Sequence, residues 1–188
     1  HGGPVALGEG RVEAFKHLHA GEGTRMPELR AMSHTHHYAL SMEWTGNLGT
    51  GTDHYRSYKR DHRISINGKP ELPGSADPTF RGDPGRHNPE DLLVAALSAC
   101  HMMSYLHVCA INGVVVTAYV DHATGTMETS SDGSGRFLEV TLHPEVRVRD
   151  EAMVSKAIVL HHQAHELCFI ANSVNFPVRC EPEVRSLN

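Results

Sequence analysis

"NPEDLLVAALSACHMMSYLHVCAING", residues 88–113, decides the fold. From Leu92 to Ile111 it runs without one Lys, Arg, Asp or Glu. A stretch of about twenty apolar residues is long enough to span a bilayer. Its contents argue against that. Ser98, His101, Ser104, Tyr105 and His107 are costly in hydrocarbon, and the flank carries Glu90 and Asp91 rather than Lys or Arg. The segment therefore reads as a buried central helix. Asn88 can cap it, Pro89 suits its first position, and Glu90 and Asp91 place acid at the positive end of the dipole. Asn112–Gly113 marks its end. Leu93, Leu97, Cys100, Ser104, His107 and Ile111 follow helical spacing, so Cys100 is expected on one continuous stripe. Cys109, nine positions on, lies about 180° around and cannot face the same way.

Working outward, the chain has 188 residues, enough for one domain with a real core. It is 39% hydrophobic and 21% charged, with a formal net charge of -5 and no long basic run. That excludes nucleic acid and an anionic membrane as main partners. "HGGPVALGEGRVEAF" lacks an apolar stretch long enough for a signal peptide, so a cytoplasmic location is expected. There, cysteines are more often catalytic or metal-binding than structural. The sequence has 16 histidines. "MSHTHHYALSMEW" from Met32 reads like a natural start. Residues 1–31 are thus expected to be an N-terminal extension to a single domain over 32–188.

"HYALSMEWTGN" (37–47) and "HRISING" (62–68) read as strands. The Pro- and Gly-rich stretch 68–87 is too long for a plain connector, so it is expected to be functional or disordered. "VVVTAYVDHATGTMETS" and "RFLEVTLHPEVRVR" read as two strands around a "SSDGSG" turn. Residues 150–168 form a second amphipathic helix, and "FPVRCEPEV" is a closing strand. The order predicts an α+β fold with mostly antiparallel sheet.

Two sites compete for the chemistry. Cys100 is the first candidate thiol and Cys168 the second, with 68 residues of sequence separating them. Val154, Ala157, His161, Ala164 and Cys168 share one face of the second helix. Alternatively His161, His165 and Cys168, at i, i+4 and i+7, could hold zinc with Cys100 or His101 as fourth ligand. Glu90 could pair with Arg81 or Arg86 from the preceding loop, and a cation beside a thiol favours the thiolate. Ten residues of helix rise about 15 Å, so Glu90 cannot touch Cys100 of its own helix. A long Arg must bridge them, or a second subunit must supply one of them.

"NPEDLLVAALSACHMMSYLHVCAINGV", followed by "AHELCFIANSV", resembles the osmotically inducible protein C and organic hydroperoxide resistance (OsmC/Ohr) family. The likeness covers roughly residues 38–184. It implies an OsmC/Ohr-like fold, antiparallel sheets packed around two long central helices, in an intertwined homodimer with sites at the interface. It implies a thiol peroxidase acting on organic hydroperoxides, with Cys100 reactive, Cys168 resolving and Glu90 the conserved-pattern glutamate. The arginine matches Arg81 beside Phe80, with the order of Phe and Arg shifted; in other members it comes from nearer the N-terminus, where Arg56 and Arg60 lie. His101 stands where members carry an aromatic residue. Leu97, Met102, Met103 and Phe169 are candidates to line an apolar pocket. No bound cofactor is expected, and the family's reductant is an external dithiol, typically lipoyl-based. A binding protein with little catalysis on the same fold remains the alternative.

Overall fold

The computed structural model describes residues 34–187. The expected extension over 1–31 lies outside them. The long helix forms as its ends dictate. α1 spans Pro89–Ile111, and the Asn88 side chain accepts from the Asp91 backbone N–H while Asp91 reaches back to the Asn88 N–H. This is a reciprocal cap, built here with Asp rather than Glu at the third position. Gly113 turns the chain out of the helix at φ 73°, a conformation that costs glycine little.

The remaining elements are β1 (Ser41–Trp44), β2 (His62–Ser65), β3 (Leu72–Gly74), β4 (Val116–Asp121), β5 (Thr124–Thr129), β6 (Gly135–Leu142), β7 (Pro144–Val148), α2 (Val154–Glu166), β8 (Val178–Cys180) and β9 (Glu183–Ser186). They build three three-stranded sheets, ordered β1-β2-β3, β4-β7-β9 and β5-β6-β8. The α+β class holds. α2, at 13 residues, is much shorter than α1 at 23, so only one helix is long.

Each long strand expected after α1 is broken in two, and each break is a crossing from one sheet to another. β4 gives way to β5 at His122–Ala123, β6 to β7 at His143, and β8 to β9 at Glu181–Pro182. The two sheets are thus halves of one three-stranded ribbon bent in the middle. The bend has local causes. Pro144 and Pro182 lack the N–H that a continuous ladder needs. Asp121 Oδ1 accepts from the His143 backbone N–H at 2.7 Å, tying the two bends together. β6–β8 and β7–β9 pair in parallel, while the other pairings are antiparallel. The closing strand therefore departs from the antiparallel expectation.

The bend lets α1 pack along both halves. Leu97 joins Val140 and Leu142 of β6, with Phe137, Ile170 and Phe176 around them. Further along, Tyr105, Val108 and Cys109 join Val146 and Val148 of β7 and Ala157, Leu160 and Ala164 of α2. Each such aliphatic side chain contributes about 1.5–3 kcal/mol on burial. The buried stripe of α1 is Leu97, His101, Tyr105, Val108 and Cys109. It is rotated by one residue from the expected stripe. Cys100 lies at its edge, and His107 and Ile111 face solvent. A helix apolar all round gives periodicity no contrast to work with.

The 68–87 segment is ordered. The Ser75 hydroxyl donates to Asp61 Oδ1 at 3.1 Å and accepts from the Asp83 N–H at 3.0 Å. Arg86 spans Asp61 and Asp83. A Cβ on Gly82 would lie 1.5 Å from the Ala76 carbonyl oxygen, so this loop closes only around a glycine.

Candidate active site and a neighbouring histidine cluster

Packing α2 across α1 and turning the chain after Glu166 brings Cys100 and Cys168 together. Both are free thiols, Cys100 half-buried and Cys168 buried. Burial is the main force lifting the Cys168 thiol to about 11; the Ala171 and Ile170 backbone N–H groups oppose it, and the neighbouring Cys100 sulfur adds to the rise. Cys109 is a core residue with its thiol raised by burial. It packs as a small hydrophobe on the buried stripe, whereas the expected stripe ran through Cys100.

Glu90 and the arginines are arranged otherwise. One Glu90 oxygen is buried without a hydrogen-bond partner, and among the described residues no Lys, Arg or His lies within ion-pair distance of it. Arg86 is occupied by Asp61 and Asp83. Arg60 lies over the rings of Tyr55 and Tyr58 and donates to their carbonyls. Arg56 contributes a backbone N–H to His54. Arg81 is exposed, with φ 68°, and forms no ion pair among the described residues. None of the four arginines is joined to Glu90 or Cys100 in a single chain.

The expected pocket is also distributed differently. Leu97 belongs to the core, whereas Met103 and Phe169 are 61% and 77% exposed. A cavity of about 680 Å³ lies along the first turns of α1, lined by Phe80, Glu90, Val94, Ser98, Asp121 and Phe137 among others. Its lining holds Glu90 and no cysteine.

The zinc set His161, His165 and Cys168 does not assemble. α2 ends at Glu166, so Cys168 is not in helical register with His161 and His165. His161 instead meets His101 of α1 and Cys180 of β8, and among the described residues these are the one group of three potential ligands with donor atoms within 4.8 Å of one another. Cys180 had no local signal. It sits on a strand, 79 and 19 residues from its partners, and nothing in its neighbourhood marks it. The rings of His101, His161 and Tyr105 stack, with Tyr105 and His161 centroids 3.8 Å apart.

Burial holds both imidazoles neutral. His101 is lowered to about 4, with His165 adding to the effect, and His161 to about 3, with His101 adding. Both values lie below the 6.5 of a free imidazole, so acid protonates the unfolded chain first. The stability these rings confer is complete above pH 6.5 and is lost as pH falls toward 4 and then 3. Urea melts at about pH 7.5 and about pH 5 are expected to differ by on the order of 2 kcal/mol per ring. Equal stability at the two pH values would contradict the neutral, buried assignment.

A family profile described as OsmC-like protein matches residues 82–183. The chain belongs to the OsmC-like family. An OsmC-like protein of unknown function from Vibrio cholerae is 31% identical, with TM-score 0.70, covering 79% of this chain and 100% of that one. An organic hydroperoxide resistance protein from Elizabethkingia anophelis is 20% identical, with TM-score 0.58, over 81% of this chain and 99% of that one. One from Legionella pneumophila is 15% identical, with TM-score 0.56, over 81% and 98%. The last two share the fold with this OsmC-like chain at identities too low to carry more. No functionally curated protein is detectably similar to it.

Proposed function

We propose that the protein is a thiol peroxidase that reduces organic hydroperoxides. The observation that carries this is the meeting of Cys100 and Cys168, one reachable and one buried. The Cys100 thiolate attacks the O–O bond, becomes a sulfenic acid and releases an alkoxide that takes up a proton as the alcohol. The Cys168 thiol displaces water from the sulfenic acid to form a disulfide. An external dithiol returns the two electrons by exchange. The cycle uses no bound cofactor and suits a reducing cytoplasm.

The working form in this reading is an intertwined homodimer. Three observations support it. Met42 and Trp44 of β1 and Leu40 just before it, at alternate positions, are exposed, and the β1-β2-β3 sheet contributes no residue to either core. Ala95, Ala99, Met103, Leu106 and Ala110 form an exposed apolar stripe on α1. The buried Glu90 oxygen lacks a partner among the described residues. A second copy would cover the first two and bring Glu90 with an arginine, Arg81 in this reading, to the other copy's Cys100. The guanidinium then offsets the desolvation that disfavours thiolate.

The test is mass spectrometry of the protein after one equivalent of cumene hydroperoxide. A Cys100–Cys168 crosslink is expected. A second reading, a binding protein on the same fold, draws on the cavity beside Glu90, which no cysteine lines. It forecasts unmodified thiols after the same treatment.

A further inference from the structure

We propose that His101, His161 and Cys180 form a metal site for a zinc-class cation, separate from the paired thiols. His101 Nε2 and His161 Nδ1 are 3.1 Å apart, and Cys180 Sγ lies 3.4 Å from the first and 3.8 Å from the second. A tetrahedral zinc with Zn–N of about 2.0–2.1 Å and Zn–S of about 2.3 Å puts its nitrogens about 3.3 Å apart and nitrogen about 3.6 Å from sulfur. The observed triangle is one face of that tetrahedron to within a few tenths of an ångström.

Hydrogen bonding alone does not account for the triangle. However the protons are placed on two neutral imidazoles and a thiol, at most two of the three edges can hold a hydrogen. A cation at the common point serves all three lone pairs at once. The donors are chemically suited to it. Both rings are buried and neutral, and two nitrogens with one sulfur favour zinc over oxygen-seeking calcium or magnesium. The Cys180 thiol is pushed up to about 12, chiefly by burial, with the Asp121 and Glu181 charges adding. Binding therefore converts it to thiolate with release of one proton.

Ligation through these atoms fixes the tautomers, with protons on His101 Nδ1 and His161 Nε2. Neither atom has a hydrogen-bond partner among the described residues. Outer-shell acceptors strengthen zinc sites by roughly 10–100-fold, so this is a modest-affinity site with three protein donors. Its role is a clasp. It joins α1, α2 and β8, three elements whose donors are far apart in sequence.

The test is a titration of the full-length protein with Co²⁺, a spectroscopic stand-in for zinc. One equivalent is expected to give a thiolate-to-cobalt charge-transfer band that Zn²⁺ bleaches. Cys180→Ser should abolish the band, and Cys100→Ser should leave it unchanged, which separates this site from the peroxidase reading. Exposed histidines elsewhere bind Co²⁺ without that band, so its absence from the parent protein overturns the site. Its survival in Cys180→Ser, or its loss in Cys100→Ser, does the same. Zn²⁺ should also slow alkylation of Cys180 in the parent by tenfold or more while Cys100 reacts at its usual rate. This measurement needs no variant to fold, and equal Cys180 rates with and without Zn²⁺ count against the proposal.

Discussion

Cys100→Ser is expected to lose hydroperoxide turnover by a factor of about 10³ or more. The hydroxyl of serine is not ionised near neutral pH and cannot form the sulfenic acid on which the proposed cycle depends. Cys168→Ser should fail differently. Its Cys100 is intact, so one equivalent of alcohol should form per chain in a burst, and the sulfenic acid should then persist and react with dimedone. Steady turnover should be lost where the external dithiol cannot reach a half-buried sulfur directly. The contrast between one turnover and none is the informative result. A Cys100→Ser protein that turns over at the parental rate would end the peroxidase reading, whatever Cys168→Ser does.

The largest effect on stability is expected at Tyr105. Its side chain is fully buried, its hydroxyl donates to the Ala157 carbonyl at 3.1 Å, and its ring lies against His161. It is one of the side chains that join α1 to α2. Tyr105→Ala removes the whole ring from between two helices and should cost about 3–5 kcal/mol. Tyr105→Phe keeps the ring and loses one hydrogen bond, about 1 kcal/mol. Denaturant unfolding of the two variants should therefore separate packing from hydrogen bonding. A Tyr105→Ala loss below about 1 kcal/mol would mean that this core collapses onto the cavity, contrary to the packing described here.

Much of this was legible in the residues, and the limits were physical. α1 could be read to its ends because Asn88, Pro89, Asn112 and Gly113 act locally. Which side of it faces inward could not, since twenty residues without charge look alike from every direction. The strands after α1 were visible as β-branched runs. Their crossings between sheets were not, because Pro144 and Pro182 mark a break without saying which sheet follows. The thiol pair was legible through the family's motif. The arginine was not, because among the described residues of one chain no partner lies beside the buried Glu90 oxygen. His161 was noticed, but helical spacing offered His165 and Cys168 as companions. Its actual companions lie on α1 and β8, and no spacing rule reaches across a fold.

The position of α1 in the chain has a further consequence. Val140, Leu142, Val146, Val148, Ala157, Leu160 and Ala164, which bury it, all come later in the sequence. During synthesis this helix leaves the ribosome bare and stays bare until most of the C-terminal half has followed. Such non-local closure is slow, and uncovered apolar surface is prone to aggregate while it lasts. Overexpression should therefore fill inclusion bodies most readily when translation is fast, and slower translation at lower temperature should raise the soluble fraction.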